Sequence, residues 1–353
     1  MSGRDPETID VRADEQLDTS RLEPFLRERL AETDGPLTVE QFGGGHANLT
    51  YLLRFGTTEY VLRRPPLGPV APSAHDMRRE HRVQSVLTEA YPLCPRSYLF
   101  CDDASIIGAD FHVQERRRGI VIRTEMPDRF SGRTDLNARI GTMLVDSLAA
   151  LHRVDPAAVG LGDLGKPDGF VQRQLDGWTK RWHAAKDVDI PEIDRLIAWL
   201  AADVPAPQAA TILHNDYKLD NMLVDAADPG IPVAVLDWDM CTLGDPLMDL
   251  GHMLNYWSDR DDPAEWRSVS SMPTWHDGFP RRDEIIARYG EKTGFDTARA
   301  SWYFVFGAFK LAVILQQIYI RYLRGQTQDA RFATLGDRVA GLVRKGNILI
   351  DAS

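Results

Sequence analysis

Apolar and polar residues nearly alternate over residues 37–62, with Leu37, Val39 and Phe42, then Tyr51, Leu53 and Phe55, then Tyr60 and Leu62. A period of two puts such side chains on one face of an extended chain. Gly43 to Gly45 and Gly56-Thr57-Thr58 break the runs, so the pattern predicts a three-stranded antiparallel meander. Ser73, with Asp76 three positions on, resembles a capping box. Val83, Val86, Leu87 and Ala90 follow at helical spacing, which predicts a helix ending before Pro92. Extended pieces around 97–100 and 110–115 complete a small sheet. Beyond Gly119 the period changes, with helical patterns near 134–154, 169–186, 191–202, 281–293, 297–324 and 329–347. Loop and short apolar strands return only at 212–240.

The layout predicts an α+β molecule of two lobes. A small antiparallel β-rich N-terminal lobe spans 18–115, the chain crosses over near 114–118, and a larger, mainly helical C-terminal lobe covers 119–353. Residues 1–17, polar and acidic, read as a disordered or loosely packed tail. The 43% hydrophobic content of the 353 residues allows a sizeable core. A formal net charge of -11 opposes nucleic-acid binding by phosphate neutralisation. No charge-free apolar run suits a membrane span, and the N-terminus lacks the apolar stretch of a signal peptide. Cys94, Cys101 and Cys241 fit neither a disulfide framework nor a zinc site, so a cytoplasmic setting is expected.

The densest chemistry lies in HNDYKLDNMLVD, residues 214–225, and in VAVLDWD, an apolar run that delivers Asp237 to its end. Magnesium takes a few oxygen ligands and leaves its other places to water and substrate phosphates. Asn221 and Asp237 supply such oxygens. Asp216 is then free to accept a hydrogen bond from an attacking hydroxyl, the task phosphoryl transfer requires. His214 is expected to order the loop, and His152, in LAALHRVD, to hold a helix end.

H-x-D-x-x-x-x-N followed by an aspartate at a strand end resembles the catalytic and metal-binding loops of the protein-kinase-like fold. HNDYKLDN, LDWD and GDPLMDL together resemble the aminoglycoside phosphotransferase family. Within it, the nearest likeness is to the kinase-like phosphotransferases that accompany, or are fused to, acyl-CoA dehydrogenases. FGGGHANLTYLLRFG, YVLRRPP and FKLAVILQQIYIRY are also similar to these. The resemblance implies ATP and Mg2+ as cofactors and a small-molecule hydroxyl acceptor, a hydroxyacyl-CoA or related hydroxy acid. It implies that Gly43, Gly44 and Gly45 form a flap over the phosphates. It also places Arg63, or its neighbour Arg64, where the fold usually carries a phosphate-holding lysine; arginine keeps the charge and binds phosphate bidentately. Glu80 lies on the same helical stripe as Val83 and Leu87, a costly place for a carboxylate without a cation such as Arg63. Gln114, Glu115 and Arg116 fall at the hinge that binds adenine through its backbone, and Lys218 near the transferred phosphate. Asp239 is expected near the metal region, and Asp245 and Asp249 as supports of the site.

Lys310 interrupts WYFVFGAFKLAVIL and either reaches the surface or points inward to meet an anionic acceptor. Two other readings stay open: an aminoglycoside kinase, with the acidic segment 258–266 receiving a polycation, and a nucleotide-binding pseudokinase. The arginine at position 63 is the one feature that favours the pseudokinase.

Overall fold

The computed structural model describes residues 7–43, 48–68, 75–267, 269–327 and 329–353. The chain divides into two compact units, Met1–Arg118 with Val233–Cys241 and Gly119–Pro232 with Thr242–Ser353.

The first unit carries strands β1 (Thr8–Ile9), β2 (Leu37–Phe42), β3 (Leu49–Phe55), β4 (Thr58–Arg64), β5 (Ser97–Cys101) and β6 (Phe111–Glu115), in the spatial order β1-β2-β3-β4-β6-β5. Every neighbouring pair is antiparallel. The alternation seen in the sequence becomes one buried face: Tyr51, Leu53, Phe55 and Leu62 pack with Phe111 and Val113. Helix α1 (Thr19–Arg27) covers that face with Leu22 and Leu26, one turn apart and both fully buried. Helices α2 (Met77–Leu87) and α3 (Ala104–Ile107) complete the unit. Asp76 caps α2 by accepting from the Arg79 N–H, whereas Ser73, the expected cap, lies outside the described residues.

Two expectations need correction. Residues 7–17 are not a loose tail, because β1 pairs with the end of β2 and the Tyr51 hydroxyl donates to the Glu15 carbonyl at 2.8 Å. The order there comes from main-chain and polar contacts together with two isolated apolar residues, Val11 and Leu17, that pack on the core without making a strand or helix pattern in the sequence. The segment 233–241, placed by sequence in the C-terminal lobe, belongs to the first unit. The Val235 N–H donates to Leu93 O at 2.7 Å and the Trp238 ring packs edge-on against Tyr91, tying the segment there.

The second unit is mainly helical. Short strands β7 (Ile120–Val121) and β9 (Met222–Val224) pair antiparallel, as do β8 (Thr211–Leu213) and β11 (Thr242–Gly244); β10 (Pro232–Val235) starts at the boundary between the units. Helices α4 (Thr134–His152), α5 (Phe170–Ala185), α6 (Pro191–Ala202), α7 (Leu247–Tyr256), α8 (Ala264–Arg267), α9 (Arg282–Thr293), α10 (Ala300–Leu323) and α11 (Leu335–Asp351) follow the predicted pattern, with α7 and α8 added. Trp302 and Phe306 stack at 5.5 Å in the core of α10. Gly251 lets α7 approach α10, since a Cβ there would run into the Tyr303 carbonyl. This contact sets residues of α7 beside Lys310. Among the described residues, α10 is the one helix long and apolar enough to cross a membrane, but 61% of its apolar window is buried inside the protein.

Candidate active site

In the first unit, Arg63 is the centre of a charged set. Strand β4 presents it with its Nε 3.1 Å from one Glu80 oxygen and its second guanidinium nitrogen 2.6 Å from Asp237 Oδ1. Glu80, on α2, is fully buried, and His112 Nε2 lies 3.3 Å from it. Burial alone would raise the Glu80 carboxyl, but Arg63 and then His112 hold it down at about 2. Burial likewise disfavours the Arg63 charge, yet Glu80 and Asp237 more than compensate and raise it above its ordinary value. The carboxylate that the helical stripe left in need of a cation has one. Arg64 faces elsewhere and donates to Ile107 O at 2.8 Å, so of the two arginines Arg63 joins this set.

Asp237 follows β10 with a φ of 70°, the left-handed region that non-glycine residues rarely occupy. Asp239 is buried and accepts from Asn48 Nδ2 at 3.2 Å. Burial, with the charges of Asp237 and Glu80, pushes Asp239 up to about 7. Three carboxylates thus crowd one arginine, an excess of negative charge that a divalent cation would relieve. Among the described residues no cluster of three or more His, Cys, Asp or Glu side chains is arranged to hold a metal.

In the second unit the loop 214–221 leaves β8 and ends in a 3-10 turn, Leu219–Asn221, before β9. Asp249, fully buried on α7, accepts from the His214 N–H at 2.6 Å and the Asn215 N–H at 2.7 Å. His152 Nε2 lies 3.2 Å from the same carboxylate, and the Tyr289 hydroxyl 2.6 Å from His152 Nδ1. Burial would raise Asp249, but His152 and His214 keep it below the usual carboxylate range. This clamp fixes the loop, with Asn215 in the left-handed region at a φ of 67°. His214 is buried and accepts from the Asp216 N–H at 3.3 Å, an ordering role.

Asp216 has both its oxygens engaged by Lys218 Nζ, at 2.9 and 3.0 Å. Asn221 Nδ2 donates to the Asp216 carbonyl and to its carboxylate, each at 2.8 Å, leaving the amide oxygen as the atom suited to a cation. Burial disfavours the Lys218 charge, but Tyr256 and Asp216 raise it above its ordinary value. Asp220, which sequence left without a role, is raised by burial.

Lys310 does not reach the surface and pairs with no acid among the described residues: it is buried, and its Nζ lies 3.2 Å from His252 Nδ1. His252 carried no signal of its own, although its place three residues after Asp249 puts both on one face of α7. Gln114 and Glu115 lie inside β6, between β4 and β5, and the Glu115 N–H is taken by Arg96 O. Arg117 and Arg118 pair with Glu115 and Glu59 at 2.9 and 2.7 Å. Gly43 closes β2 by donating to Glu7 O, and Gly44 and Gly45 lie outside the described residues.

Known proteins share this architecture. A profile of the phosphotransferase enzyme family, APH, matches residues 38–303. Acyl-CoA dehydrogenase family member 11 of Rattus norvegicus is 34% identical over 348 residues, which are 96% of this chain and 44% of that protein. The chain thus spans less than half the length of the curated relatives it matches. A Ralstonia eutropha crystal structure, provisionally called an aminoglycoside phosphotransferase, superposes with a TM-score of 0.83 at 31% identity, covering 96% of this chain and 99% of that one. Aminoglycoside phosphotransferase APH(4)-Ia, solved as a ternary complex with AMP-PNP and hygromycin B, shares the fold at a TM-score of 0.55 and 18% identity, over 92% of this chain and 98% of that one. The chain belongs to the phosphotransferase enzyme family and has its α+β, protein-kinase-like fold.

Proposed function

We propose that this protein transfers the γ-phosphate of Mg-ATP to a hydroxyl of a small molecule, a hydroxyacyl-CoA or related hydroxy acid. The observation that carries the reading is the Asp216 set: a carboxylate on a clamped loop, flanked by Lys218 and Asn221. Phosphoryl transfer needs positioning and charge stabilisation more than covalent chemistry. Asp216 accepts the hydrogen bond of the acceptor hydroxyl and takes its proton as the bond to phosphorus forms. Lys218, at hand on the same loop, offsets charge on the transferred group. In the first unit Arg63, locked in place by Glu80, presents its guanidinium to the nucleotide phosphates.

By donor chemistry, Asp237 in the first unit and Asn221 in the second each offer an oxygen suited to magnesium, which when bound would neutralise phosphate charge. The acyl part of the proposal is supported by likeness to acyl-CoA dehydrogenase family members. A bound nucleotide analogue in APH(4)-Ia supports ATP as donor. The test is ADP release from Mg-ATP across hydroxyacyl-CoAs, sugars, choline-like amines and aminoglycosides, with Asp216→Asn as the control. Turnover with none of them, alongside intact nucleotide binding, would leave a binding module instead of a kinase.

A further inference from the structure

In the second unit two cations, Lys310 and Arg181, pair with no carboxylate among the described residues, and Lys310 lies against the catalytic loop. Lys310, 6% exposed, has its Nζ 3.2 Å from His252 Nδ1 and 3.5 Å from the carbonyl of Asn215, the residue before Asp216. The same ammonium lies 5.6 Å from the centre of the Trp178 ring, and the exposed Arg181 guanidinium lies 4.5 Å from it. Among the described residues neither cation forms an ion pair with a carboxylate, in contrast to Lys218 beside them. A buried ammonium facing an imidazole and a carbonyl is incompletely neutralised, and burial of an unpaired charge is costly. Burial accordingly pulls Lys310 down to about 8, with Asp216 and Asp249 favouring its charge and Arg181 and Lys218 opposing it. Burial, and then Lys310, hold His252 well below its ordinary value, so its imidazole is neutral and accepts from the ammonium.

The acids that a polycation would seek are already engaged. Asp262 meets Arg282 at 2.5 Å, Asp259 meets the same guanidinium at 3.5 Å, and Asp261 meets Arg281 at 3.0 Å.

We propose that Lys310, with Arg181, recognises an anionic oxygen group, carboxylate or phosphate, carried by the molecule whose hydroxyl is phosphorylated at Asp216. This rests on the phosphotransfer reading above and names the chemistry of the acceptor. An anion held at Lys310 stands one residue from Asp216 along the loop, so recognition and reaction share one place. A polycationic acceptor would face two unpaired positive charges there.

The test uses the full chain and four probes: 3-hydroxybutyrate, its neutral amide, 3-hydroxybutyryl-CoA and kanamycin. Binding is measured by calorimetry and transfer by ADP release. The expected result is that the acid or the CoA ester binds at least about tenfold more tightly than the amide, and that Lys310→Met removes about 30-fold or more of the anion's affinity. Lys310→Arg restores most of it, Arg181→Met removes part, and binding weakens as pH rises through 8. Binding of the free acid identifies a carboxylate as the recognised group; binding of the CoA ester alone identifies phosphate. Equal binding of acid and amide, loss of both in Lys310→Met, preference for kanamycin, or no binding by any probe overturns the proposal. So does a defect of Lys310→Met confined to nucleotide binding, which would assign the lysine to ATP. Selective anion binding without ADP release would keep the anion site and remove the kinase reading.

Discussion

Replacing Arg63 by methionine separates what the arginine does for the fold from what it does for the nucleotide. Glu80 is fully buried, and without the guanidinium its carboxylate is left with the His112 imidazole, at 3.3 Å, beside it. Removing one partner of a buried pair costs about 3–5 kcal/mol, because the other charge is left uncompensated. The carboxyl's own equilibrium leads to the same size. Glu80 is held at about 2 instead of its ordinary 4.5, which corresponds to roughly 3 kcal/mol of stability at neutral pH. The sign is that of a depressed acid: the stabilisation is complete above 4.5 and is lost as pH falls towards 2. Arg63→Met should therefore lose about 3 kcal/mol in urea unfolding at pH 7 and should lack this acid-dependent component. The double variant Arg63→Met with Glu80→Met removes the orphaned charge and should recover most of the loss. It should still fail to bind Mg-ATP, measured by calorimetry. A single variant that loses under about 1 kcal/mol, or a double variant no more stable than the single, would refute the ion-pair account. A folded double variant that binds nucleotide normally would take the phosphate role away from Arg63.

Asp216→Asn should leave Mg-ATP affinity within about twofold and lower turnover by about a thousandfold or more, read by steady-state ADP release; near-normal turnover removes the base role. Asp237→Asn should weaken nucleotide binding in magnesium much more than in its absence, and equal affinity loss under both conditions would detach Asp237 from the metal. Lys345 is fully buried, with its Nζ 3.2 Å from Asn255 O and beside the rings of Trp266 and Phe304. Burial, and then Arg282, pull it down to about 7 from an ordinary 10.5, so the unfolded chain holds the extra proton between these values and stability rises with pH across them. Lys345→Met should flatten that rise and stabilise the protein by about 1–4 kcal/mol near pH 7, and thermal unfolding curves with the same pH slope in both proteins would contradict this.

What could be read in the sequence was local. Alternation over 37–62 foretold β2, β3 and β4 because each strand buries one face in a common core. The closeness of Asp216, Lys218 and Asn221 could be read from their spacing because all three share one loop and meet on one carboxylate. Hidden features depend on partners brought from other elements. Arg63 meets Asp237 across 174 positions, and Asp249 meets His214 across 35. Both acids had been noticed, but neither partner follows from spacing. Helix α1 was within reach, since Asp18 accepts from Ser20 as a cap and Leu22 and Leu26 keep helical spacing, yet its short apolar pattern is interrupted by Pro24. Asp216 and Asp237, the two carboxylates central to the proposed chemistry, each have a cation from their own unit, Lys218 and Arg63. Lys310, by contrast, pairs with no carboxylate among the described residues, and that difference, invisible until burial and partners are known, is why the acceptor's charge is proposed to be read there.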